Sequence, residues 1–346
     1  MKYLLFFWLT LIVKGIYAQE NIDFRSNSND LGHTMLMIGE NPKIRYLFQR
    51  LNDGSVIFDA SPNVIFPFYN DIRKFIGEDK KYSTAIYLNF RPQIRMYNLD
   101  SKPVRTPSYR IHLGYQGLYR ISNEENHPVF GGVLFETGHY SNGQSGCAFS
   151  SNYLDQSYNC DSIYSQINEN TDLSQILNRQ TGNFSTNNTE ISFWYRNYRL
   201  GTSNGQPILY FGGKAGINLY HKNLLYLFPF GGYSENDKNY IGRQRINLQF
   251  EFFKVFALSE KIFLPIEFEM NYEKLWAKNN LITKYRIEPE IIIYPIPKLR
   301  NLGFSASFIH GFDSYNFRLV DRISTFTAGI RWEYFLINDL QKFKFN

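Results

Sequence analysis

The sequence predicts an all-β fold, an antiparallel transmembrane β-barrel of about 10–12 strands with twelve the expected number. Three observations carry this expectation. Apolar and polar residues alternate with period two, the signature of a strand with two different faces. The alternating stretches are longer than the roughly 5–6 residues usual in water-soluble sheets, and match the roughly 9–11 of a tilted membrane strand. Aromatic residues make up 18% of the chain, with 26 Tyr and 31 Phe. That exceeds what a soluble core needs and fits aromatic girdles at two membrane interfaces.

Residues 1–18 read as a secretion signal: Lys2 gives the positive start, and Ile16-Tyr17-Ala18 offers a cleavage site before Gln19. The apolar run Tyr3 to Val13 is too short for a spanning helix, which needs roughly 20 residues. Residues 19–80 form an irregular segment, either periplasmic or holding early strands, with Lys43 to Phe66 the place for one or two of them.

The barrel is expected over residues 81–346. In Thr84 to Met96, Ile86, Leu88, Phe90 and Ile94 alternate with Asn89, Arg91, Gln93 and Arg95. Tyr109 to Ile121 sets Arg110, His112, Gln116 and Arg120 against an apolar face, and further alternating segments run near 128–141, 188–200 and 207–220. Ile246, Leu248, Phe250 and Phe252 oppose Arg245, Asn247, Gln249 and Glu251; Ile266, Phe268 and Met270 oppose Glu267, Glu269 and Asn271. Segments near 284–294, 302–312 and 322–335 complete ten. Faces that carry Arg and Glu on nearly every strand need a lumen in which to pair, which a soluble sandwich lacks.

Between the strands near 128–141 and 188–200 lies an expected external loop, 142–186, holding Cys147 and Cys160. In an exported chain these two form a disulfide, worth about 3 kcal/mol in the chain-entropy account. The net charge of +6 is spread along the chain without a basic cluster, so no nucleic-acid partner is expected. Mean hydropathy is −0.36, which excludes a bundle of membrane helices and leaves a barrel open.

One polar stretch interrupts the pattern: Glu136-Thr-Gly-His-Tyr-Ser-Asn-Gly-Gln144. Glu136, a charge in mid-strand, belongs inside the barrel, so His139 and Ser141 share the opposite, lipid-facing side. Side chains at i and i+2 on a strand project together, and an imidazole so placed can take the proton of a hydroxyl nucleophile. Asn187, on the returning strand, has the same outward parity, and its amide can hold the imidazole.

These residues resemble the outer-membrane phospholipases A, whose His-x-Ser-Asn-Gly motif matches His139-Tyr-Ser141-Asn142-Gly143. A second match is Ser101 to Tyr115, similar to the family's Ser-Pro-Phe-Arg-Glu-x-Asn-Tyr stretch with one residue inserted. The resemblance covers about residues 82 to 346 and departs from the family in placing Gln144 where an arginine stands and in inserting the cysteine-bearing loop. It implies a calcium-dependent hydrolase of phospholipid acyl esters in the bacterial outer membrane, among outer-membrane lipids, able to act as a homodimer. By it Ser141 is the nucleophile, His139 the base and an asparagine the orienting residue. The amide of Gly143 and a calcium-bound water hold the oxyanion, and Ser101, Gln144 and Ser185 are the calcium-site positions. Asn152 suits the family's spacing and Asn187 the strand context; Asn187 is preferred. Two alternatives remain. Lipid A deacylases pair a similar motif with a glutamate, for which Glu190 has the wrong parity, and a barrel without enzymatic activity would act as a channel or structural protein.

Overall fold

The computed structural model describes residues 41–51, 54–71, 81–100, 104–124, 126–201, 207–232, 237, 242–259, 263–276, 282–296, 302–315 and 319–332. The signal segment, Ser101 and the last aromatic residues lie outside the described residues. Strands run in the order β1 (Lys43–Leu47), β2 (Arg50–Leu51), β3 (Gly54–Ser61), β4 (Val64–Asn70), β5 (Tyr82–Tyr97), β6 (Ser108–Glu124) and β7 (His127–Ser141). Two helices follow, α1 (Tyr158–Gln166) and α2 (Leu173–Ile176). The chain then continues through β8 (Ser185–Leu200), β9 (Pro207–His221), β10 (Gln244–Ala257), β11 (Phe263–Leu275), β12 (Tyr285–Ile293), β13 (Leu302–Phe312) and β14 (Arg322–Trp332).

From β5 to β14 each strand pairs antiparallel with the next. β14 pairs with β1, β1 with β3, and β3 with one end of β5, which closes the sheet. β4 pairs with the other end of β5, so β3 and β4 are two halves of one stave, parted at Pro62-Asn63 where proline offers no ladder donor. β1, the β3/β4 stave and the ten strands β5 to β14 make a closed transmembrane barrel of twelve. The barrel thus begins at Lys43, with two staves supplied before residue 81. Among the described residues no helix is long and apolar enough to cross a membrane.

The two faces are inverted relative to a soluble protein. Ile111 is 47% exposed, Phe193 62% and Phe326 66%, while Glu136, Glu251, Glu267 and Arg331 are buried. An apolar belt of this extent is unfavourable in water and suits lipid. The lumen is cross-linked by charge. Arg91 meets Glu136, Arg196 meets Glu251 and Arg331 meets Glu269. Lys214 lies 2.6 Å from Glu190, Arg45 2.5 Å from Glu288 and Arg95 2.8 Å from Asp59. What remains is an internal cavity of about 190 Å³.

The connection 142–184 folds inward as a cap over one mouth. Cys147, Phe149, Tyr164, Leu173 and Phe184 pack with Tyr140, Tyr220, Leu275 and Phe312 from the inward faces of strand ends. The Cys147–Cys160 disulfide is formed and ties the start of the cap to α1. Ser157 caps α1 by accepting from the Cys160 amide, and Asp172 caps α2 through the Ser174 amide. Arg179 to Asp321, at 2.7 Å, and the Tyr164 hydroxyl to Asp237, at 3.0 Å, moor the cap to other loops.

Candidate active site

β7 delivers the polar stretch to the rim beneath this cap. Its inward residue Glu136 accepts from Tyr87 and Asn89, each at 3.0 Å, and pairs with Arg91. That anchoring fixes the strand's parity, so Thr137, His139 and Ser141 face outward beside Ile111 and Tyr109 of β6. Gly138 has no side chain because a Cβ there would run into the Ile111 carbonyl oxygen on β6 and, behind it, His112.

Register assembles the outward row. His139 lies opposite Asn187 on β8, Asn187 opposite His221 on β9, and Ser141 opposite Ser185. Thr137 and Thr189 complete a polar island on an otherwise apolar surface. Polar groups facing hydrocarbon are costly unless hydrogen-bonded, so the partners matter. The Thr137 and Thr189 hydroxyls bond at 2.8 Å, and Thr189 reaches His221 Nε2 at 3.0 Å. His221 Nδ1 donates to the Asn223 carbonyl at 2.7 Å, and Ser185 Oγ donates to the Gly231 carbonyl at 2.7 Å.

Asn187 holds the centre. Its amide nitrogen donates to the carbonyls of Lys222 at 2.9 Å and Phe230 at 2.5 Å, which fixes its oxygen toward His139 Nδ1 at 2.9 Å. An amide oxygen only accepts, so Nδ1 carries the proton and Nε2 is left as the basic nitrogen. Phe230 packs on the imidazole at 5.3 Å between ring centroids, and Gly231, at φ 66°, lies against its Cε1–Nδ1 edge, where a Cβ would collide. The oriented hydrogen bond is thereby covered.

Two groups of the island are left without a partner. Among the described residues neither His139 Nε2 nor Ser141 Oγ makes a side-chain hydrogen bond, to each other or elsewhere. They are the pair that a proton transfer needs, on one face two residues apart, and such bonds commonly tighten only around substrate.

Beyond Ser141 the chain turns. Buried Asn142 donates to the Gly182 carbonyl at 2.8 Å and accepts from the amides of Phe184 at 2.9 Å and Gln144 at 3.3 Å. This clamp presents Gly143, exposed and at φ 66°, with open space where a Cβ would stand. Its N–H makes no hydrogen bond among the described residues, so it is a donor available to an oxygen anion.

Of the other expected positions, half-buried Ser185 and Gln144 flank Ser141. They supply neutral oxygens, and the hydroxyl proton of Ser185 is committed to Gly231, which leaves its lone pairs for a cation. Calcium takes roughly six to eight oxygen ligands, so these two neutral donors, without a carboxylate, would make only part of a site for it. No cluster of three or more His, Cys, Asp or Glu suited to a metal occurs among the described residues. Asn152 is exposed on the cap, and Glu190 faces the lumen and pairs with Lys214. His221, Phe230 and Gly231 went unnoticed in the sequence. His221 carries the outward parity of its strand and was legible; the loop that carries Phe230 and Gly231 has no period to betray its path.

No protein-family model and no curated protein matches the chain. Among solved structures, outer membrane phospholipase A from Escherichia coli aligns over 93% of this chain and 97% of its own, at 9% identity and a TM-score of 0.45. A Salmonella typhi outer membrane phospholipase dimer with bound calcium covers 85% and 90%, at 9% identity and 0.40. The β domain of the Bordetella autotransporter BrkA covers 84% and 98%, at 8% identity and 0.31. Identities this low say nothing of activity.

Proposed function

We propose that this protein is an outer-membrane serine hydrolase that cleaves the acyl esters of phospholipids. The observation that carries the reading is the Asn187–His139 hydrogen bond on the outward face, with Nε2 left basic beside Ser141. A structural role would place neither an open imidazole nitrogen nor an open hydroxyl against lipid.

In this reading Ser141 Oγ attacks the ester carbonyl carbon while its proton passes to His139 Nε2. The carbonyl oxygen becomes an anion, which the Gly143 amide stabilises; one such donor is commonly worth about 3–4 kcal/mol. The imidazolium returns the proton to the departing alcohol oxygen of the lysophospholipid, leaving Ser141 acylated. Water then attacks the acyl carbon, giving its proton to Nε2, and the fatty acid leaves as Ser141 regains its hydrogen. Asn187 keeps the ring in one tautomer throughout. Calcium would be held by Gln144 and Ser185, with Ser101 the third expected position, and would supply positive charge to the developing oxyanion.

The lipid A deacylase alternative needs a carboxylate behind the imidazole, and Glu190 is turned to the lumen. A wide channel is opposed by the ion pairs that fill the lumen. Refolded wild type is expected to release fatty acid from phospholipid in detergent with calcium, and Ser141→Ala to release none above background. A homodimer, expected from the sequence resemblance, is tested by cross-linking in the same detergent.

A further inference from the structure

The chain between His221 and Gly231 does not continue away from the barrel past the strand end. It folds back over the outward face as a hook. Leu224 and Phe228 exchange backbone hydrogen bonds, Leu224 N–H to Phe228 O at 2.8 Å and Phe228 N–H to Leu224 O at 3.0 Å. The turn between them puts two ordinary residues, Leu225 at φ 52° and Tyr226 at φ 63°, in the left-handed region that L-residues avoid. Such strain persists only where the surroundings enforce it. Here the enforcement is at the site itself: the Asn187 amide grips the hook at Lys222 and Phe230, and Ser185 grips it at Gly231.

What the hook presents is apolar. Leu224-Leu225-Tyr226-Leu227-Phe228-Pro229-Phe230 contains no charge, and Leu227 is 74% exposed, with Tyr226, Phe228 and Phe230 each more than half exposed. Its surface continues the outward belt of Ile111, Phe135 and Ile191, and one of its rings touches the imidazole. An ester carbonyl brought to Ser141 has in Phe230 an apolar surface beside the imidazole on which to lay a hydrocarbon chain. The occupant that fits is a long acyl chain, because the surface lies on the lipid side, carries no charge, and begins at the His139 imidazole.

We infer that residues 224–230 are the acyl-recognition element of the site, giving it preference for long-chain esters. This rests on the hydrolase reading above. The hook's anchorage on Asn187 further ties recognition to catalysis, because the side chain that orients the imidazole also holds the surface that receives the chain.

The test compares short and long esters in the full-length protein, refolded in detergent. Wild type, the double variant Leu227→Ser/Phe228→Ser and Ser141→Ala are assayed on p-nitrophenyl butyrate and p-nitrophenyl palmitate, with unheated gel migration as the check on folding. The expected result is that the double variant lowers the palmitate-to-butyrate ratio of kcat/KM at least tenfold. The single Leu227→Ser, at the most exposed position, should move the ratio the same way and serves should the double variant fail to refold. An unchanged ratio, or an equal fall on both esters, overturns the inference while leaving Ser141 untouched. Hydrolysis that survives Ser141→Ala overturns the hydrolase reading and this inference with it.

Discussion

The amide of Asn187 has one acceptor and two donor hydrogens, and each has a partner: the imidazole on one side and two loop carbonyls on the other. Asn187→Ala removes the acceptor that fixes the His139 tautomer and strips a donor from two carbonyls. A fall in kcat of roughly 10²-fold is expected, within the range general-base catalysis contributes, with KM less affected. A merely structural role would lower apparent kcat only in proportion to the folded fraction, so kcat is expressed per folded protein as counted on an unheated gel. Gly143→Ala tests the neighbouring turn. At φ 66° an alanine costs roughly 1–2 kcal/mol of backbone strain, and relief of it turns the amide away from the oxyanion. Hydrolysis should drop while ester binding persists, as read from kcat against KM. For calcium, the neutral donors of Gln144 and Ser185 suggest weak affinity, so activity should saturate at about 10⁻⁴–10⁻³ M. A chelator that leaves activity intact removes the ion from the account and nothing else. The meeting of His139 with Asn187 was legible in the sequence, because Glu136 set the parity of one strand and Ile191 with Phe193 that of the other. The grip of Asn187 on Lys222 and Phe230 was not, since a loop's return path is decided by tertiary hydrogen bonds that leave no periodic trace.

At the scale of elements, the cap 142–184 stands between Ser141 and β8 and sets the pose of Gly143 through the Asn142 clamp. Its disulfide closes a separation of 13 residues, worth about 3 kcal/mol to the cap in the chain-entropy account. Cys147→Ser/Cys160→Ser should therefore speed proteolysis within the cap and lower hydrolysis, while the barrel keeps its folded migration on an unheated gel. Equal protease resistance with and without the bond would show that the apolar packing of Phe149, Tyr164 and Phe184 suffices. The cysteine pairing could be read from an exported chain with two cysteines. The cap's seat over the mouth could not, because its buried residues come from short helices and loops whose partners Tyr220, Leu275 and Phe312 lie far along the sequence. Strands within Lys43 to Phe66 were expected, but the union of β3 and β4 in one stave was not legible, because the break at Pro62-Asn63 leaves too short an alternation on either side.

Over the whole molecule, period-two alternation made the barrel visible because one rule, lipid outside and charge inside, governs every stave. The closure of the sheet through β1 and β3 is a consequence of that rule, since an open edge in lipid would leave backbone groups unpaired. The same rule explains the stability expected of the lumen. Glu136→Gln takes the buried carboxylate away from half-buried Arg91, and losing a hydrogen bond to a charged group in this way costs roughly 1.5–3 kcal/mol, measurable as a lowered urea midpoint on unfolding from detergent. A midpoint equal to wild type would mean that water solvates the lumen freely. Against this apolar outer surface the island of His139, Ser141 and Asn187 is the exception, and the account stands on its chemistry. The most direct measurement is fatty-acid release from phospholipid by refolded wild type and by Ser141→Ala, side by side. The account predicts release by the wild type and a loss of at least about 10³-fold in the variant. Equal release by both proteins, or none by a correctly folded wild type supplied with calcium, would contradict it.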